Sequence, residues 1–186
     1  MEKINNPYVS VELDPDDISK IIDSISKILD ELDVPYKNLS RSSHISIGYV
    51  LGTTSKEDLE NFCQELVEDS FKTKILGLTL IDSEWAKENE GISHFLSLEI
   101  EHSHDFQYAT EYLDENFDIK EFEGGFKGHI SLLGVTIDLS EEEKTLLSQV
   151  IELFRLDILP KITINGDSIA VFNDNREKEI EVKFPK

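Results

Sequence analysis

The stretch His44-Ile45-Ser46-Ile47 reads His, apolar, Ser, apolar, and the pattern returns at His129-Ile130-Ser131-Leu132. In an extended strand successive side chains point to opposite faces, so a His and a Ser two residues apart project together. The intervening aliphatics then point the other way, into a core. Each copy therefore sets one imidazole and one hydroxyl on an open strand face, anchored from behind. Two such strands facing each other would make a site with two imidazoles and two hydroxyls, a set suited to a phosphodiester.

Working outward, the neighbourhood of the first copy is echoed around the second. Tyr8-Val9-Ser10-Val11-Glu12-Leu13 alternates as a half-buried strand. Phe95-Leu96-Ser97-Leu98-Glu99-Ile100 matches it class for class, 87 residues on (8 to 95), while the His motifs are 85 residues apart (44 to 129). Asp14-Pro15-Asp16-Asp17 supplies an N-cap, a proline at the first helical position and first-turn acids. The helix that follows has Ile18, Ile21, Ile22, Ile25, Ile28, Leu29 and Leu32 on one face, and Pro35 stops it. After the strand His44–Leu51, Gly52 to Ser55 turns into a helix carrying Leu59, Phe62, Cys63, Leu66 and Val67. A strand over Thr73–Asp82 follows, then a polar loop from Ser83 to Gly91 with the one tryptophan, Trp85. In the second half a helix spans Asp105–Phe117. Ser140-Glu141-Glu142-Glu143 starts another helix, as Ser55-Lys56-Glu57-Asp58 does. Gly166 is a rough counterpart of Gly77.

Strand, helix, His strand, helix, strand thus occurs twice at nearly constant offset, which argues for internal duplication. A duplicated unit usually packs on its copy about a pseudo-twofold axis, and that symmetry brings the two His strands to a shared groove. The expected fold class is α+β. Residues 1–186 form a single bilobal domain of two pseudo-symmetric lobes, each a mainly antiparallel sheet with two helices outside. The approximate units are 7–82 and 93–173, with a final strand at 179–184.

An apolar content of 39% fits a globular chain. No apolar run is long enough to span a bilayer, and the start lacks a signal-peptide pattern, so the expected setting is cytoplasmic with no membrane partner. The single cysteine, Cys63, excludes an internal disulfide and reads as core packing. The formal net charge of −21 opposes binding of long nucleic acid and shifts the expectation towards a small nucleotide-like substrate; it serves solubility equally well. Oligomeric state is open.

Phosphodiester cleavage needs a base for the attacking oxygen and an acid for the leaving one. His44 and His129 suit these roles because imidazole titrates near working pH, one neutral and one protonated in the productive state. Ser46 and Ser131 would donate hydrogen bonds to the non-bridging oxygens. The scheme needs no metal and no cofactor. Lys127, two residues before His129, and Arg41, three before His44, are candidates to neutralise phosphate, or else solvated surface cations. Tyr8 and Phe95 are candidates to stack on a base, or else packing residues at strand starts, with Trp85 a weaker candidate. Glu101-His102-Ser103-His104-Asp105 has metal-ligand residue types, yet its Ser and Asp read as helix caps. Gly124-Gly125-Phe126-Lys127-Gly128 matches no phosphate-loop motif and reads as an approach to His129.

The paired tetrapeptides, in this order of strands and helices, resemble the two-histidine (2H) phosphoesterase superfamily over most of the chain. That group includes LigT-like RNA cyclic phosphodiesterases and anti-CBASS phage enzymes that destroy cyclic-nucleotide immune signals. The resemblance implies metal-independent cleavage of a phosphodiester by His44 and His129, with Ser46 and Ser131 on the phosphate. The expected substrate is a 2′,3′-cyclic phosphate or a cyclic oligonucleotide signal. The alternative function is a non-catalytic nucleotide-binding sponge using the same groove.

Overall fold

Asp14 accepts a 2.9 Å hydrogen bond from the Asp16 N–H, and Pro15 opens the first helix, as the sequence expects. The computed structural model of the chain describes residues 1–39, 43–120, 128–158 and 163–186, the side chains of 153–158 excepted. Its first half holds β1 (Lys3–Asn5), β2 (Tyr8–Leu13), α1 (Pro15–Glu31), β3 (Tyr36–Asn38), β4 (His44–Val50), β5 (Thr53–Ser55), α2 (Lys56–Leu66) and β6 (Lys72–Asp82). There follow α3 (Glu84–Glu90), β7 (His94–Ile100), α4 (His104–Asn116), β8 (Ile119–Lys120), β9 (His129–Val135), α5 (Glu141–Ile158), β10 (Thr163–Phe172) and β11 (Lys178–Lys183). The class is α+β, and every strand pairing among the described residues is antiparallel.

One ladder runs β3-β9-β7-β6-β10-β2-β4-β8, with β11 also on β10 and a small separate β1-β5 pair. The sheets do not follow the sequence units one to one. β6, from the first half of the chain, pairs with β7; β10, from the second half, pairs with β2. Likewise β3 lies on β9 and β8 on β4. The two halves of the ladder meet where Thr163, Ile164 and Asn165 face Lys74, Thr73 and Lys72. Behind them a single apolar cluster joins residues of both halves, including Val9, Ile45, Leu96 and Ile130. The helices supply their apolar faces to it, Ile18, Ile21, Ile25 and Leu29 from α1 and Phe106, Ala109 and Leu113 from α4. Cys63 is in this core as expected, and burial pushes its thiol up to about 12.

The registers repeat. Glu12, Val11 and Ser10 pair with His44, Ile45 and Ser46, and then one residue, Ile47, is skipped before Val9 meets Gly48. Glu99, Leu98 and Ser97 pair with His129, Ile130 and Ser131, and Leu132 is skipped before Leu96 meets Leu133. On the other side Ser168 faces Glu12 and Gly77 faces Glu99, so the counterpart of Gly77 is Ser168, and that of Gly166 is Ile75. Matching the two glycines by residue type misplaced this pairing by two residues.

Two further differences from the sequence expectation have local causes. The stretch Ser83–Gly91 is a helix, capped by the Ser83 hydroxyl on the Ala86 N–H at 3.2 Å and closed by Gly91 at φ 65°. Only Ala86 of α3 is buried, so no apolar stripe announces it. The strands β1, β3, β5 and β8 are two or three residues long and owe their form to partners distant in sequence, not to alternation. Short strands of this kind blunt the edges of the ladder at β3 and β8.

Gly166 pairs with Leu13 of β2, next to the register shift between β10 and β2. A Cβ there would come within 2.8 Å of Phe184, 2.9 Å of the Phe71 Cβ and 3.0 Å of Val11. Gly166→Ala should therefore lower folding stability by about 1–3 kcal/mol, read as a lower urea midpoint at unchanged slope.

Candidate active site

The two His strands β4 and β9 contact each other across the middle of the molecule without being neighbours in the ladder. His44 and Ser46 are half-buried while Ile45 and Ile47 are buried, and His129 and Ser131 are half-buried while Ile130 and Leu132 are buried. The alternation read from the two tetrapeptides holds in both strands. Residues in register on antiparallel strands project from the same face, so each histidine shares its face with a carboxylate, Glu12 for His44 and Glu99 for His129.

The two serines differ in their hydrogen bonds. Ser46 Oγ shares a 2.6 Å bond with the Tyr8 hydroxyl, whereas Ser131 Oγ lies 3.3 Å from Ser97 Oγ. Ser10, buried next to Ser46, donates to Glu12 at 2.7 Å. Tyr8 also packs edge-on to the His44 ring, with centroids 6.2 Å apart at 88°, and lies against Tyr49 at 4.6 Å. Its phenol thus touches both His44 and Ser46.

A cleft of about 860 Å³ opens on this face, near the upper end of the range for small-ligand sites. His44, Ser131, Tyr8 and Phe95 line it. Four of the sequence candidates therefore meet in one cavity, with His129 and Ser46 two residues along β9 and β4 from the lining Ser131 and His44. Arg41 and Lys127 lie outside the described residues. The cleft also has walls that sequence reasoning did not select: Tyr49, Phe172, Lys37 on β3, and Arg176 on the turn between β10 and β11. The available signal for Lys37 and Arg176 was the scarcity of basic residues, 18 Lys and Arg against 39 acids, which makes each cation's position informative. Trp85 and Glu90 of α3 and Asp174 of the β10–β11 turn also line it.

Burial lowers the His129 imidazole from its ordinary 6.5 to about 4, so it is neutral at pH 7. A neutral imidazole can accept a proton. Another histidine, His94, is a structural counter-example. Its Nε2 accepts from the Leu139 N–H at 3.2 Å, so Nδ1 carries the proton and donates to Asp82 at 2.6 Å. That bond and nearby Lys144 hold the Asp82 carboxyl below its ordinary range. The His102–Asp105 stretch caps α4, where Ser103 accepts from the Phe106 N–H at 3.3 Å, and His102 and His104 lie on the rings of Phe106 and Tyr108. Among the described residues, no three His, Cys, Asp or Glu converge as a metal site. No described helix is long and apolar enough to cross a membrane.

No family model matches the sequence, and no curated protein does. Solved structures do match in three dimensions. TT0787 of Thermus thermophilus superposes at a TM-score of 0.59 with 14% identity, over 96% of this chain and 97% of that one. Kluyveromyces marxianus Usb1 with uridine monophosphate gives 0.57 and 12% over 98% of both chains. Escherichia coli LigT complexed with 3′-AMP gives 0.53 and 10% over the full length of both. All three belong to the 2H phosphoesterase superfamily. The chain has the 2H phosphoesterase fold. At these identities the likeness is one of fold, so what the 2H scaffold does here rests on this chain's own side chains.

The lowered His129 pKa has a consequence for stability. In the unfolded chain His129 takes up a proton near pH 6.5, and in the folded chain only near pH 4. Between these values the unfolded state binds more protons, so folding weakens as pH falls through that window. The loss should reach about 3 kcal/mol below pH 4. In urea melts from pH 7.5 to 4, His129→Gln should remove this component, and the difference between variant and wild type should shift in favour of the variant as pH falls.

Proposed function

We propose that the chain is a 2H phosphoesterase, a metal-independent phosphodiesterase that cleaves a small nucleotide phosphodiester by two-histidine general acid/base catalysis. The substrate is a 2′,3′-cyclic phosphate or a cyclic oligonucleotide signal. The observation that carries this reading is the repeated register. His44 and His129 occupy equivalent positions on contacting strands, each opposite a glutamate and each followed by a serine on the same face. The fold of LigT and Usb1 supports it, as does the fact that those proteins were solved with the mononucleotides 3′-AMP and uridine monophosphate.

The neutral His129 serves as the base. It takes the proton from the attacking oxygen, water or a ribose hydroxyl, as that oxygen forms a bond to phosphorus. His44, protonated, delivers a proton to the oxygen whose bond to phosphorus breaks, and solvent then restores both states. Ser131 Oγ and Ser46 Oγ donate to the non-bridging oxygens, where negative charge grows in the transition state. With the Tyr8 hydroxyl donating to Ser46 Oγ, the Ser46 proton is available to the phosphate. Phe95, half-buried on the cleft wall, is the surface on which a base stacks. Arg41 and Lys127 flank the two His strands in sequence and add charge to the phosphate.

His44→Ala and His129→Ala should each lower turnover of 2′,3′-cyclic mononucleotides, or of cyclic di- and trinucleotides, by at least about 100-fold while leaving the circular dichroism spectrum unchanged. Chelator should leave the wild-type rate unaltered. The wild-type pH–rate profile should be bell-shaped, and its acidic limb should vanish in His129→Ala. Full activity in either single variant would refute the mechanism. Saturable binding of a ligand recovered intact would establish the sponge instead.

A further inference from the structure

One part of the cleft wall gathers cations and an aromatic ring from elements distant in sequence. Arg176 lies in the turn between β10 and β11, and its guanidinium stands 5.8 Å from the centre of the Trp85 ring on α3. It also lies 3.8 Å from the Glu90 carboxylate, while Lys37 Nζ donates to the Glu90 carbonyl. Two cations thus converge on one residue at the cleft edge, in a chain whose net charge is −21. The trio joins three elements that are distant in sequence: β3, α3 and the β10–β11 turn.

The turn is built to hold Arg176 in place. Asn173 Oδ1 accepts from the N–H groups of Asn175 at 2.9 Å and Glu177 at 3.0 Å. Asn173 Nδ2 donates to the carboxylates of Glu177 at 3.1 Å and Glu179 at 2.8 Å. Arg176 itself has φ 63°, a left-handed conformation that a long side chain adopts at a cost. Such strain persists where surrounding contacts over-determine it, and functional sites are where it collects. Trp85 is 55% exposed although it lies in a cleft wall, so its ring is open to a partner.

The geometry points to a second nucleotide subsite, in which Arg176 and Lys37 bind a second phosphate and Trp85 stacks the adjoining base. The inference rests on the phosphodiesterase reading for the first phosphate, at His44 and Ser131, and it selects among the substrates of that reading. A ligand that fills both ends has at least two phosphates and two bases, as a linear or cyclic dinucleotide does, and a mononucleotide 2′,3′-cyclic phosphate leaves this end empty. Glu90 is the resident competitor: its carboxylate holds Arg176 until an incoming phosphate displaces it. Arg presents a planar fork matched to phosphate and also stacks on aromatic rings, which suits it to a site shared with Trp85.

Trp85 is the sole tryptophan, so its fluorescence reports occupancy of this subsite without turnover. The test titrates His129→Ala protein with linear pApA, cyclic diadenosine dinucleotide and AMP. Both dinucleotides, or one of them, should quench Trp85 saturably and bind about tenfold or more tighter than AMP, and the stronger of the two identifies the linear or the cyclic class. Arg176→Asn, which keeps a residue tolerant of φ 63°, should weaken dinucleotide binding by about 10–100-fold. Glu90→Gln should strengthen it by up to about fivefold. A purely structural role for the rim would move both variants in the same direction. Equal affinity for AMP and the dinucleotides, or unchanged dinucleotide affinity in Arg176→Asn, overturns the subsite. An intact dinucleotide quench in a protein that cleaves none of the substrates overturns the phosphodiesterase reading and leaves the subsite standing.

Discussion

The cross-strand register that sets Glu12 opposite His44 and Glu99 opposite His129 is the constraint on which the rest depends. Side chains alternate along a strand with a period of two, so a one-residue slip would turn both imidazoles into the core and both aliphatic pairs into the cleft. Burial of Ile45 and Ile130 from behind makes that slip costly. The register changes only after the serines have been placed, at the skipped residues Ile47 and Leu132. These irregularities appear as consecutive buried positions, Ile47 with Gly48 and Leu132 with Leu133. They lie next to the cleft, a place where bulges commonly bend strands and re-aim side chains.

A groove between two lobes works as a site only if the lobes keep their spacing. Here the exchange of β6 and β10 between the halves of the ladder fastens them. The backbone ladder is continuous through Thr163–Asn165 and Lys72–Lys74, and the apolar cluster behind it is shared. Two lobes joined by a linker alone would be free to move on each other. We infer that the chain is a duplicated unit, near 7–82 and 93–173 with a last strand near 179–184, whose third strands are exchanged. The matched skipped residues on both sides of β2 and β7 support this.

Elements that the sequence states through local patterns were legible. Tyr8–Leu13, the α1 cap at Asp14 and the two His strands all follow from alternation, capping residues and side-chain period. Elements that form only because a distant strand offers a partner were not. Tyr36–Asn38 becomes a strand because Val135, Gly134 and Leu133 lie beside it, and nothing within its three residues says so. Helix α3 announces itself by caps, Ser83 and Gly91, and lacks the apolar stripe that periodicity seeks. At the site the paired tetrapeptides named His44 and Ser131 because their chemistry repeats. Lys37 and Arg176 belong to no repeat and reach the cleft through turns and edge strands, whose positions are set by tertiary pairing. The depth of His129, and hence its lowered pKa, likewise depends on what packs around β9, which no local window contains.

On the proposed reading, charge placement selects the size of anion that the cleft takes. The chain carries 39 acids against 18 Lys and Arg, so a long polyanion lying along its surface meets repulsion over most of its length. That repulsion is screened beyond about 8 Å at physiological ionic strength. A ligand held inside the cleft is therefore governed by the groups within that distance. There the local balance is different: among the described lining residues Lys37 and Arg176 are matched by Glu90 and Asp174, so the wall carries no net charge while the chain carries −21. On the proposed reading, a polymer that must extend past the rim is repelled and an anion that fits within it is not. On that reading the acidity and the cleft act as one selection by size, and the proposed subsite at Lys37 and Arg176 bounds the length it favours.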